Sequence, residues 1–222
     1  MPVIVMASPK GGVGKSTVSV LLATGFARLG AEVTIIDTDP NRSLSRWASH
    51  GMPPRVKMAE GIKSAEIIRA IRAADGDGRI VIVDLEGIAS QLVSRAISQA
   101  DLVIVPMQPT ALDAEIGAEA LALVREEEEA LGRPIRHAVA LTKVNAAIRS
   151  RVQAVLEKRL EEAGIDIIQP YLVDRAAYSE IFAHGFDLET MAANPELTTI
   201  GRIDPAIRNA RAFTEAVYAR LT

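Results

Sequence analysis

The sequence predicts an α/β fold, a mostly parallel twisted sheet with helices on both faces, and three observations carry that prediction. Short aliphatic and β-branched runs recur along the chain, helix-length segments with polar faces lie between them, and a glycine-rich turn joins the first run to the first such segment. Runs at 3–6, 33–36, 80–83, 102–105, 138–141 and 165–168 lack the alternation of a half-wet strand, so they read as strands buried on both sides. Helices are expected at 17–29, closed by Gly30, and at 64–73, 90–99, 113–131 and 148–163. In the last of these, Val152, Val155, Leu156, Leu160 and Ala163 fall on one face while Arg151, Glu157, Lys158 and Glu161 fall elsewhere. The region 184–202 reads as loop with a short helix. A final helix should begin near Pro205 and Ala206, because proline is tolerated in a first turn.

No repeat, low-complexity tract or linker divides the 222 residues, so one domain spanning 1–222 is expected. The absence of cysteine excludes disulfides, thiolate metal sites and cysteine nucleophiles. With 25 Lys and Arg against 28 Asp and Glu, the net charge is −3, so any binding to nucleic acid must come from a local patch. No apolar run reaches the length of a membrane-spanning helix, and no basic segment precedes the opening apolar stretch; a cytoplasmic protein is expected.

The strongest chemical signal is the run Lys10, Gly11, Gly12, Val13, Gly14, Lys15, Ser16, Thr17, set directly between the first strand and the first helix. Its glycines allow backbone turns and close approaches that a side chain would block, so successive N–H groups can face phosphate oxygens. Lys15 would reach the β- and γ-phosphates, Ser16 would offer its hydroxyl to Mg²⁺, and the helix N-terminus adds partial positive charge at the same place. The general phosphate-loop pattern carries glycine where this chain has Pro9, and a second lysine, Lys10, stands five residues before Lys15. In this the chain resembles the ParA/MinD superfamily of ATPases with a deviant Walker A loop. The resemblance implies ATP and Mg²⁺ as cofactors, with Lys15 acting on the nucleotide of its own subunit and Lys10 on that of a partner subunit. A cation supplied across an interface is worth about 10³ to 10⁵ in rate for related nucleotide hydrolases.

Asp37 and Asp39 follow the second strand, at the strand ends where open α/β sheets place ligands. By the same resemblance Asp39 orients the attacking water and Asp37 helps hold the magnesium hydration shell. The run from Asn41 to Trp47 looks closer to plasmid-borne and VirC-like members than to chromosomal ones. A third strand delivers Asp84 in the hydrophobic-then-acid arrangement that holds a magnesium-bound water. Glu86 stands where many relatives have proline, an unexpected charge near the γ-phosphate. Thr142, Lys143, Val144 and Asn145 loosely resemble a guanine-reading motif but lack its aspartate, so adenine is favoured. Relatives close the stretch 170–177 over the base, which makes Arg175 a candidate base contact.

Between Arg133 and Leu160 seven basic residues face one acid, Glu157, a local balance of 7 − 1 = +6 that could form a footprint on a phosphate backbone. ParA-like proteins bind double-stranded DNA without sequence preference as ATP-bound homodimers, and Arg175, Arg208 and Arg211 are the nearest positional matches to their DNA contacts. The resemblance further implies a ParB-like or cargo-adaptor protein that activates hydrolysis, and a nucleoid-associated location. A phosphate loop beginning at residue 10 leaves no room for an N-terminal helix-turn-helix. Phe213, Val217 and Leu221, spaced by four on the last helix, read as core rather than as a MinD-type membrane anchor, so no membrane partner is expected. A MinD-like positioning ATPase and a metabolic ligase or amidoligase of the same fold are the competing readings.

Overall fold

The structure is a computed structural model that describes residues 2–39, 43–74, 76–85, 87 and 91–222. Seven strands, β1 (Val3–Met6), β2 (Glu32–Asp37), β3 (Val56–Glu60), β4 (Arg79–Asp84), β5 (Leu102–Met107), β6 (His137–Leu141) and β7 (Asp166–Ile167), form one sheet. Every pairing between them is parallel, in the order β3-β2-β4-β1-β5-β6-β7. Strand side chains alternate faces, and both faces are apolar. Ile4 and Met6 point into one core with Phe26, Trp47, Ile181 and Phe213, while Val3 and Val5 point into the other with Ile71, Val93, Val124 and Leu160. This two-sided burial is why β1, β4 and β5 read as unbroken hydrophobic runs.

Among the described residues the first core is covered by α1 (Lys15–Arg28), α2 (Ser43–His50), α7 (Ala176–His184), α8 (Leu188–Ala193) and α9 (Asp204–Tyr218). The second lies under α3 (Ile67–Ala73), α4 (Gln91–Ile97), α5 (Ala111–Leu131) and α6 (Arg151–Glu162). Helix α6 begins three residues later than its hydrophobic period suggests. Asn145 Oδ1 first accepts the N–H groups of Ala147 and Ile148 in a turn, and Ser150 then caps the helix through Gln153 N at 3.0 Å.

Three elements went unread in the sequence. Strand β3 carries Lys57 and Glu60 at an exposed sheet edge, where charge is tolerated and alternation is weak. Helices α2 and α7 are short and owe their burial to one another and to β3 and α8 rather than to local pattern. Strand β7, expected over four residues, covers two. In the expected loop after residue 184, Asp187 caps α8 through Thr190 N at 2.6 Å and binds Arg28 of α1 at 2.6 Å. Phe213 and Val217 are fully buried on α9, and Leu221 packs against the same core. No helix among the described residues is long and apolar enough to cross a membrane.

Candidate nucleotide-binding site

Because the strands are parallel, the loops after β1, β2 and β4 all open at one edge of the sheet, and the order β2-β4-β1 makes them neighbours. The first runs from Ala7 to Gly14 and enters α1 with Gly12 at φ 78° and Gly14 at φ 96°, values that a side chain would strain. Its carbonyls are pinned from the β5 and β6 side. The Thr142 hydroxyl donates to Val13 O at 2.6 Å, and Gly12 O accepts from Lys143 Nζ at 2.9 Å and from Gln108 Nε2 at 3.2 Å. In a planar trans peptide the N–H opposes the carbonyl. Fixing those two oxygens therefore turns the amides of Val13 and Gly14 the other way, as a phosphate cradle requires. Lys15 Nζ lies across the loop, donating to Ser8 O at 3.1 Å and Lys10 O at 2.9 Å.

Two carboxylates meet beside this loop, since Asp37 and Asp84 are register partners on β2 and β4. Asp84 is 1% exposed, and among the described residues neither of its oxygens has a partner at hydrogen-bonding geometry. Burial pushes its carboxyl up to about 7. The nearby Ser16 hydroxyl and Lys15 ammonium oppose that shift, and the charges of Asp37 and Asp39 add to it. A buried acceptor without a partner, beside a serine hydroxyl at a helix N-terminus, fits a hard cation that keeps part of its water shell. Burial also raises Asp37, whose Oδ1 accepts the Asp39 N–H at 2.9 Å and whose Oδ2 lies 3.4 Å from the Ser45 hydroxyl. Asp37 Oδ1 is thus committed to shaping the turn, while Oδ2 accepts from the Ser45 hydroxyl at the start of α2. Asp39 sits half-buried at the end of that turn. Asn41, Arg42 and Glu86 lie outside the described residues.

Lys10 is held by Asp113 of its own chain at 2.8 Å. Asp113 is 2% exposed in the first turn of α5, where Thr110 caps its N–H and donates its hydroxyl to Asp113 Oδ2 at 2.5 Å. Nothing in the sequence singled out this acid, 103 residues away from its partner. The spacing Thr110-x-x-Asp113, a capping signature, is the one signal that could have found it.

A small apolar pocket opens between the phosphate loop and the stretch after β7. Thr17, Thr142, Lys143, Leu172, Tyr178 and the candidate base contact Arg175 line it. The Arg175 Nε is buried and has no hydrogen-bond partner among the described residues. Asn209 of α9, another residue missed in the sequence, ties this wall down: its Oδ1 accepts from Val173 N and Tyr178 Oη, both at 3.0 Å, and its Nδ2 donates to Tyr171 O at 2.8 Å.

The basic block does not form one patch. Arg133 and Arg136 precede β6 while Lys143 follows it, which places them at opposite ends of the sheet. Arg133 and Arg136 donate to the carbonyls of Ser98 and Arg220, Lys143 is spent on Gly12, and Arg149 pairs with the buried Glu157. Linear charge density failed here because a strand and its flanking turns carry successive residues to different faces. Arg208 is exposed on α9. Arg211, one turn on, pairs with Glu189, which also holds Arg28. Arg175 belongs to the pocket, so the three candidate DNA contacts divide between two places.

Comparison with known proteins agrees with this geometry. Residues 4–188 match the family described as the CobQ/CobB/MinD/ParA nucleotide binding domain. The chain is 49% identical to Protein ParA of Rhizobium radiobacter over 223 residues, covering 100% of this chain and 98% of that relative. It is 26% identical to Protein virC1 of Rhizobium rhizogenes, covering 91% of this chain and 90% of the relative. The septum site-determining protein MinD of Pyrococcus horikoshii, solved as a complex with Mg-ADP, superposes with a TM-score of 0.73 at 14% identity, covering 97% and 95% of the two chains. Sequence, sheet order and phosphate loop thus converge, and the chain belongs to the ParA/MinD family of nucleotide-binding proteins.

Proposed function

We propose that this chain is a ParA-like ATPase that partitions or positions DNA or another cargo. It dimerises on ATP, holds DNA without sequence preference as a dimer, and resets when a ParB-like or cargo-adaptor protein stimulates hydrolysis. The observation that carries this reading is Lys10, a second ammonium at the mouth of the phosphate loop that pairs with Asp113 while Lys15 Nζ lies across the loop. Residues 1–222 act as one domain, an arrangement supported by the single continuous sheet.

In this reading Gly11, Gly12, Val13, Gly14 and Thr17 supply the amide cradle, and Lys15 neutralises the β- and γ-phosphates. Ser16, Asp84 and Asp37 would hold the water shell of Mg²⁺, which would supply charge neutralisation at those phosphates. Asp39 positions the attacking water, and Arg175 lies against the adenine. Lys10 leaves Asp113 to reach the nucleotide of a second subunit. Arg208 carries more of the DNA contact than Arg211, whose charge Glu189 offsets. The burial of Phe213 and Val217 supports DNA over a lipid surface as the partner, because a helix cannot give one apolar stripe to both core and membrane.

The test is retention of the protein on nonspecific double-stranded DNA with ATP or ADP across a salt series. ATP should tighten binding, with affinity falling steeply as salt rises, since displaced counterions dominate such contacts. Equal retention with both nucleotides at every salt concentration would overturn the proposal, because a ligand without differential affinity shifts no equilibrium.

A further inference from the structure

We propose that the groove between α5 and α6 docks an amphipathic helix of a partner protein, apolar along one stripe and acidic along its flanks. The groove has a volume of about 700 Å³ and is floored by Leu121, Leu156, Leu160 and Ile165. Its α5 wall is low, made by Ala114 and Ala118. Its α6 wall carries Val152 and Val155, which are 45% and 46% exposed. These are two of the residues whose spacing promised a buried helical face, and the chain itself leaves them half uncovered. A soluble surface rarely presents such a contiguous apolar strip without a partner to cover it.

Shape and charge select the occupant. Both helices follow parallel strands and so run side by side. The α5 wall from Ala111 to Arg125 is about 21 Å long at about 1.5 Å per residue, roughly four turns of a docked helix. No set of polar groups converges inside the groove to orient a small molecule. The charges lie along the rim instead, with Arg125, Arg151 and Arg159 against the single acid Glu115. Two neighbouring basic residues are occupied elsewhere, Arg149 just ahead of α6 by Glu157 and Lys158 on α6 by Glu162. Three arginines flanking an apolar strip favour an acidic helix and repel a basic one.

The groove opens at Ala111, two residues before the aspartate that holds Lys10. The proposal concerns binding alone and stands or falls independently of ATP hydrolysis.

Fluorescence anisotropy of the full chain with three labelled, stapled 16-residue peptides tests it. One carries leucines at three- and four-residue spacing with glutamate flanks, the second has lysine flanks, and the third is a scramble of the first. The glutamate peptide should bind saturably and about tenfold or more tighter than either control. Val155→Glu, at a half-exposed position where the fold tolerates the change, should abolish that preference, and Arg125→Glu with Arg159→Glu should reverse it in favour of the lysine peptide. Absence of saturable binding, equal affinity for all three peptides, or a Val155→Glu variant that binds as the unaltered chain does would overturn the proposal. So would self-association of the unaltered chain that Val155→Glu abolishes, since a second copy would then occupy the groove. Unchanged thermal unfolding of each variant confirms that the fold is intact.

Discussion

Lys10 sits in an ion pair that must break before it can serve another subunit, so Asp113 opposes the assembly that Lys10 is proposed to promote. Asp113→Asn keeps the shape and the Thr110 contact while removing the charge. It should strengthen ATP-dependent dimerisation by about 1 kcal/mol, the scale of a partly exposed ion pair, measured by sedimentation velocity. An unchanged dimerisation constant would show that the contact holds nothing back. Asp84 makes a prediction of the opposite kind, because it is a buried carboxylate that the fold does not compensate. An aspartate in the unfolded chain titrates near ~3.9, whereas Asp84 in the fold titrates at about 7. Between those values the folded state holds the extra proton, so stability of the metal-free protein should fall as pH rises from about 4 to about 7. Asp84→Asn should flatten that fall, raise the metal-free melting temperature most at alkaline pH, and weaken magnesium-dependent nucleotide binding. A pH profile identical to that of the unaltered chain would contradict the account. At this scale the sequence was legible where function imposes a short local pattern, as in the phosphate loop and the strand-end acids. Asp113, Asn209 and Gln108 were not legible, since each acts through a partner distant in sequence.

Helices α1 and α9 show how an element can be predicted and its packing still missed. Both were expected near their observed places, yet their contact depends on Gly25, where an added Cβ would lie 2.5 Å from Thr214 Oγ1 and 2.9 Å from its Cγ2. Thr214 is buried and holds Ala210 O at 2.9 Å, so it has little room to turn aside. Gly25→Ala should destabilise the fold by about 1–3 kcal/mol in denaturant unfolding, despite the better helix propensity of alanine, and Thr214→Ala should restore most of the loss. If Gly25→Ala is neutral or stabilising, the close approach is not a constraint. The same contrast explains which elements were readable. Strands β1, β4 and β5 are buried on both faces and announce themselves, whereas β3, at an edge, and the short α2 and α7 take their conformation from neighbours.

The whole molecule is built on a parallel sheet, and one edge of it brings the glycine-rich loop together with Lys10, Lys15 and Lys143 and the carboxylates of Asp37, Asp39, Asp84 and Asp113. Most of that edge could be placed from the sequence, because strand, loop and helix order fixes where the C-terminal strand ends lie. The surface was far less legible. The basic block dissolved into separate contacts, and the half-exposed face of α6 became apparent only once α5 stood beside it. The central claim, that two chains share each nucleotide through Lys10, is tested most directly by mixing two inactive variants. Lys10→Ala leaves a chain with a complete site except for the borrowed lysine, and Asp39→Ala leaves one that can lend Lys10 but cannot activate water. Random pairing makes half the dimers mixed, each with one complete site, so the equimolar mixture should hydrolyse ATP at roughly a quarter of the unaltered rate. A mixture no faster than either variant alone would mean that Lys10 serves its own subunit, and the shared-nucleotide account would fail.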